Sequence, residues 1–257
     1  MKAAKGPKSL TNGAPTAPTA ELVAISRRLA RATARLDFAK PVQHVYAPLE
    51  YAREPHEMYL ALARTPIDAL FLGMNPGPFG MVQTGVPFGE IAATRKFLAI
   101  EGRVRQPTDT HPKRPIEGFA CRRAEVSGQR FWGLFSRVFA TREECFRRIF
   151  VWNYCPLAFV SESGANITPD KLPRAERDAI AAPCDRALRE IVGVLRPRLV
   201  VGVGAFARAE AERALADRPH RVEFAQILHP SPASPAANRG WDAIACAELA
   251  KLGVIGD

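Results

Sequence analysis

DALFLGMNPGPFGMVQTGVPFGE, residues 68–90, opens as a near-continuous apolar run and then breaks into a loop dense in Gly and Pro. A short apolar run without polar alternation suits a strand covered on both faces, as in a parallel sheet. Three further runs have the same character: RIFVWNYC (148–155), RLVVGVG (198–204) and RVEFAQIL (221–228). Stretches with helical periodicity surround them, at about 21–35, 55–64, 90–101, 128–139, 174–195, 204–216 and 239–252, the second of them opening at Pro55. Strands alternating with helices predict an open, doubly wound α/β sheet.

That architecture predicts where chemistry sits. In open parallel sheets, ligands bind beyond the C-terminal ends of the strands. After the first run comes Asn75 in a Pro- and Gly-rich loop, near the end of the second stands Asn153, and after the fourth comes His229. Asn75 offers an amide that can orient a water without ionising. Phe88 offers a flat apolar face for a base, or else an ordinary core ring. The segment HPSPASPAANRGW (229–241) has prolines at every second or third position early on, so it reads as a stiff loop that inserts as a wedge, or as a plain Pro-rich connection. In HPKRP (111–115), Lys113 and Arg114 fit phosphate contact or a solvated face. Gly202-Val203-Gly204-Ala205-Phe206-Ala207 matches a dinucleotide fingerprint, with Glu223 about 20 residues on. Glu223, however, begins its run, whereas a ribose-binding acid should end it.

Composition narrows the class. Of 257 residues, 47% are hydrophobic, enough for one large α/β domain over residues 21–257. Residues 1–20 are rich in Ala, Pro, Thr and Lys and read as a disordered basic tail, with no apolar segment of a secretory signal. No apolar run reaches 18 residues, so neither a membrane span nor a membrane partner is expected, and a soluble intracellular protein follows: cytoplasm or nucleoid in a bacterium, nucleus in a eukaryote. Lys and Arg outnumber Asp and Glu by 36 to 26, a surplus that suits an acidic polymer as partner. The five cysteines form no CxxC pair, so no metal site is expected and buried thiols are the reading. There is no HExxH, P-loop or GxSxG.

Taken together, GMNPGPFGM (73–81) with GVPFGE (85–90), and HPSPxxPxANxGW (229–241), resemble the single-strand-selective monofunctional uracil-DNA glycosylases of the uracil-DNA glycosylase superfamily. Intermediate blocks match as well: HPKRP (111–115), EVSGxRFW (125–132), NYCPLxF (153–159), NITPxxLP (166–173) and RLVVGVG (198–204). The resemblance spans about residues 50–253. It implies an α/β fold of three layers, a central four-stranded parallel sheet flanked by helices. It implies a cofactor-free enzyme that flips uracil or 5-hydroxymethyluracil out of single- or double-stranded DNA and hydrolyses the glycosidic bond, refusing thymine; a monomer is the default expectation.

Residue by residue, it makes Asn75 the water-positioning group and His229 the donor to the uracil O2. Phe88 becomes the stacking ring and Asn153 the reader of the base edge, with Met74, Gly77 and Met81 at the pocket wall towards C5. Lys113, Arg114 and Arg239 become DNA contacts, with Pro230, Ser231, Pro232, Ala233 and Ser234 forming the intercalating loop. The family pattern has a basic residue and then Asn after Pro232, where this chain has Ala233 and Ser234. A loop without that long side chain fills the vacated stack less well. The competing readings are a non-catalytic damage-binding module and, through Gly202–Ala207, a dinucleotide-dependent oxidoreductase.

Overall fold

All four apolar runs become neighbouring strands of one parallel sheet. The structure, a computed structural model, describes residues 17–217 and 222–256. Its strands are β1 (Val42–Tyr46), β2 (Ala69–Gly73), β3 (Ile149–Asn153), β4 (Ala158–Ser161), β5 (Asn166–Ile167), β6 (Leu199–Val203) and β7 (Glu223–Ile227). The parallel sheet has the order β3-β2-β6-β7. Phe71 lies in register with Val151 and Val201, and Leu72 with Trp152 and Gly202.

Residues in register share a face, and successive residues alternate. On the Phe71 face, the helix Val126–Val138 packs the rings of Phe131 and Phe135 at 5.7 and 5.3 Å. On the Gly202 face, the helix Ala205–Leu215 approaches so closely that a Cβ at Gly202 would collide with the Arg208 backbone nitrogen. Helices therefore cover both faces, which is why β2, β3 and β6 are buried throughout. Strand β7 has only one strand neighbour and is partly exposed, at Glu223 and Gln226. On the free side of β3, the buried Tyr59 hydroxyl donates to the Val151 carbonyl (2.7 Å) and accepts from its N–H (3.1 Å), satisfying backbone groups that a further strand would have taken.

The Gly202–Ala207 fingerprint has a structural cause. Gly202 admits the helix, and Gly204, at φ +91°, turns the chain into it. Glu223 is at the opposite end of its strand, in an ion pair with Arg198 at 3.3 Å, so no acid stands where a ribose would need one.

Several boundaries differ from expectation. The first helix spans Ala17–Thr33, so residues 17–20 of the expected tail form its first turn, while residues 1–16 and Arg221 lie outside the described residues. The 55–64 helix is Arg53–Leu60, and the 90–101 helix is only Ile91–Lys96. The last helix is broken: Pro235–Asn238 and Trp241–Lys251 flank Gly240 at φ +126°. A second sheet, antiparallel with the order β1-β4-β5, carries no clear period because β1 and β5 are short and partly exposed. Helix Arg142–Arg148 was also not anticipated; it buries only Cys145 and Phe146. Among the described residues, no helix is long and apolar enough to cross a membrane.

Gly202→Ala should lower stability by roughly 1–3 kcal/mol through overpacking. Denaturant unfolding checks this, and an unchanged midpoint would mean that the helix does not press on β6.

Candidate active site

The loops that leave the C-terminal ends of the parallel strands enclose a cavity of about 550 Å³. Asn75, two residues beyond β2, lines it, as do Asn153, the last residue of β3, and His229, two residues beyond β7. Met74, Gly77 and Phe88 complete much of the wall. The amide and the imidazole, 154 positions apart in sequence, thus face one space of nucleobase scale. A larger groove, about 910 Å³, runs between the helices Ala17–Thr33 and Arg53–Leu60, away from the strand ends, and holds none of these residues.

The floor depends on Gly73. A Cβ there would collide with Asn153 Oδ1 and stand 2.9 Å from the Phe88 ring. Asn153 is 4% exposed; its Nδ2 donates to Met81 Sδ (3.1 Å), while its Oδ1 is buried with no hydrogen-bond partner in the structure. A buried unmet acceptor is costly, and its persistence in a cavity marks a place for a donor. Phe88 is held at φ +52°, an uncommon backbone for a bulky residue. Its ring stacks on Phe131, with centroids 4.5 Å apart and planes 13° from parallel, so its position is set from behind while it also lines the cavity.

His229 has its tautomer fixed by its own loop. The Ser231 N–H donates to Nδ1 at 3.1 Å, so Nδ1 carries a lone pair and the neutral ring bears its proton on Nε2. Burial lowers the imidazole pKa below its ordinary value, which keeps the ring neutral. Gly204 leaves room beside it: a Cβ there would stand 3.3 Å from the His229 Cβ. The strand end is fastened by Trp241, whose Nε1 donates to the Leu228 carbonyl at 2.7 Å. Asn75 donates through Nδ2 to the Leu157 carbonyl at 3.3 Å, which orients the amide and leaves Oδ1 as an acceptor.

Glu125 was not singled out from the sequence, yet it lines the cavity. Its carboxyl sits in the space left by two glycines: a Cβ at Gly77 would collide with both carboxyl oxygens, and one at Gly80 would stand 2.7 Å from Oε2. The Phe79 N–H donates to Oε2 at 3.2 Å. Burial pushes the pKa of Glu125 up to about 7; the N–H groups of Phe79 and Gly80 oppose that rise, and Glu90 adds to it. No sequence signal beyond its place in EVSGQRFW (125–132) pointed to it. Asn166 and Thr168 also line the cavity and were likewise missed.

The other expected residues divide. Ser231 and Pro232 line the cavity, while Ala233 and Ser234 stand beyond its lining. Pro230 is buried, and its carbonyl accepts from Arg130 at 3.0 Å. Arg130 also donates to Asn238 Oδ1 (2.9 Å), and Asn238 Nδ2 donates to the Pro232 carbonyl (2.8 Å), so the loop is braced along its length. Met81 is not in the wall: it is buried against Asn153, its Sδ accepting from the Asn153 Nδ2 that would otherwise be left unmet. Lys113 is tied through Nζ to the Ser163 carbonyl (3.2 Å), and Arg114 through Nε to the Gly164 carbonyl (2.8 Å). Arg239 is exposed between the last two helices. Among the described residues, no group of three or more His, Cys, Asp or Glu side chains could hold a metal ion.

Known proteins resemble this chain in sequence and in fold. The model of the uracil DNA glycosylase superfamily matches residues 64–251. The chain is 50% identical over 222 residues to the single-strand selective monofunctional uracil DNA glycosylase of Bos taurus, covering 86% of this chain and 82% of that one. It is 48% identical over 229 residues to the protein of the same description from Rattus norvegicus, with coverage of 89% and 82%. The crystal structure of wild-type SMUG2 from Pedobacter heparinus superposes with a TM-score of 0.64 at 14% identity, covering 89% of this chain and 97% of that one, a likeness of fold.

Because the Glu125 pKa is raised on folding, the protonated form is the one the fold favours. Its contribution is full below the usual carboxylate range near 4.5 and is lost as pH rises through about 7. Thermal melts from pH 4.5 to 7.5 should show wild type losing stability relative to Glu125→Gln as pH rises; a constant difference would mean that the carboxyl is not desolvated.

Proposed function

Because the chain belongs to the uracil-DNA glycosylase superfamily, we propose that it is a monofunctional DNA glycosylase of base excision repair that takes an extruded uracil into the Asn75–His229 cavity and hydrolyses its N-glycosidic bond. In this reading it works as a monomer, on single- and double-stranded DNA. The observation that carries the reading is a pair of complementary groups facing one cavity: a buried acceptor without a partner, Asn153 Oδ1, and a fixed Nε2–H donor on His229. Uracil presents a donor at N3 and an acceptor at O2. Cytosine has an acceptor at N3, so it would set a lone pair against Asn153 Oδ1 and leave the buried group unmet, at a cost of about 1–3 kcal/mol.

Cleavage leaves the sugar oxocarbenium-like and the base anionic. The His229 Nε2–H meets the charge that grows on O2, and a prearranged donor in a desolvated site costs no reorganisation when charge appears. Neutrality suits this task, since the ring stabilises the anion by hydrogen bonding without having to give up its proton. Asn75 Oδ1 accepts from a water and aims it at the sugar carbon. An amide is no base, so this arrangement serves a dissociative path, in which the water meets a carbon that is already cationic. Among the described residues the cavity lining contains no lysine, so it offers no amine to attack the sugar, and the products are free base and an abasic site.

Selection at C5 falls to the wall of Gly77 and Glu125. Gly77 adds no side chain of its own, and the carboxyl behind it makes the wall polar. A hydroxymethyl group finds hydrogen-bond partners there, whereas a methyl group strips the wall of hydration and returns nothing. This supports uracil and 5-hydroxymethyluracil as substrates and the refusal of thymine.

Asn75→Ala should keep affinity for a uracil oligonucleotide while lowering single-turnover excision by roughly 10²-fold; wild-type turnover would remove Asn75 from the mechanism. His229→Ala should cost about 10²–10³-fold. With its pKa lowered by burial, His229 stays neutral to below the ordinary histidine range, so the acid limb of kcat should lie below pH ~6.5. A limb above pH 7 that vanishes with His229→Asn would show that the cation, not the neutral ring, is the working form.

A further inference from the structure

Beside the cavity stands a basic cluster that the chemistry above does not use. Phe79 lines the cavity wall, and two guanidinium groups rest on its ring: Arg123 Cζ lies 3.9 Å from the ring centroid and Arg114 Cζ 5.2 Å. Arg122 and Arg123 are exposed. Among the described residues, Lys113, Arg114, Arg122 and Arg123 form no ion pair, unlike Arg27, Arg137 and Arg208, and it is the stacking on Phe79 beside the cavity that sets Arg123 and Arg114 apart from other unpaired surface arginines. Positive charge is therefore left uncompensated at this rim. Stacking on a ring restrains a guanidinium while leaving its in-plane N–H groups free, the arrangement suited to a phosphate. The chain then runs from Arg123 directly into Ala124 and Glu125, which line the cavity, so the stacked guanidinium borders the cavity that would receive a base. Across the cavity, the loop at Ala233 and Ser234 brings no cationic side chain to the strand.

We propose that Arg123, seated on Phe79 with Arg114 beside it, is a clamp for the phosphodiester next to the extruded nucleotide, and that it gives the enzyme its hold on the damaged strand. The clamp rests on the glycosylase reading for the identity of the strand, but its test does not require excision. Binding of a single-stranded, uracil-containing oligonucleotide, read by fluorescence anisotropy between 50 and 200 mM salt, counts phosphate contacts through the slope of log K against log salt, about 0.7 per contact on a single strand.

Arg123→Ala should flatten the slope by about 0.7 and weaken binding roughly tenfold. Arg123→Lys keeps the charge and should keep the slope, while losing part of the affinity that the flat stack supplies. Arg137→Ala, remote and ion-paired, should change neither. An Arg123→Ala slope equal to wild type would overturn the clamp, as would an equal loss in Arg137→Ala. If wild type binds with the expected slope but excises nothing, the glycosylase reading fails and the clamp stands.

Discussion

The close approach at Gly73 governs the site. Strand β2 ends on a residue without a side chain, and over that gap the Asn153 amide and the Phe88 ring come within reach of one base. Any larger residue would push the amide off the floor and the ring off Phe131. The same device recurs wherever something must pack closely: Gly77 and Gly80 make room for the Glu125 carboxyl, and Gly204 for the imidazole. The glycines of the strand ends are thus spaces kept for particular partners, and the cavity is the sum of those spaces.

In the proposed mechanism, two neutral groups carry the chemistry. The backbone bond from Ser231 to Nδ1 decides which nitrogen of His229 bears hydrogen, and the bond from Asn75 to Leu157 decides which end of the amide meets water. Neither group ionises to act. Each is prearranged by a single hydrogen bond to the backbone, so little reorganisation is left for the moment of bond cleavage. The stiffness of the 229–234 loop follows the same logic: its prolines, together with the Arg130–Asn238 brace, hold the histidine in place.

Much of this was legible in the chain. Fully apolar runs gave the parallel sheet because helices cover both its faces, and the residues just after those runs gave Asn75, Asn153 and His229 because such a sheet opens at its C-terminal end. Glu125 was not legible: it opens a helix, far from any strand end, and reaches the cavity only because two distant glycines admit it. Met81 was assigned to the wall because sequence gives order along the loop but not the inward turn of its first helical residue. Strands β1, β4 and β5 escaped notice because β1 pairs with a strand more than 100 residues away and β5 has only two residues, which leaves no local period. The dinucleotide-like glycines, set aside already because Glu223 begins its run, imitate a fingerprint for an instructive reason, since close helix packing and a positive φ demand the same residue type that a phosphate would.

The central claim is that one extruded pyrimidine is recognised at N3 and released as an anion at O2. Single-turnover assays on end-labelled single strands, identical except for one uracil, cytosine or thymine and followed by alkaline cleavage of abasic sites, test it most directly. The account predicts strand breaks at uracil alone. Equal breakage at cytosine, or none at uracil, would contradict it.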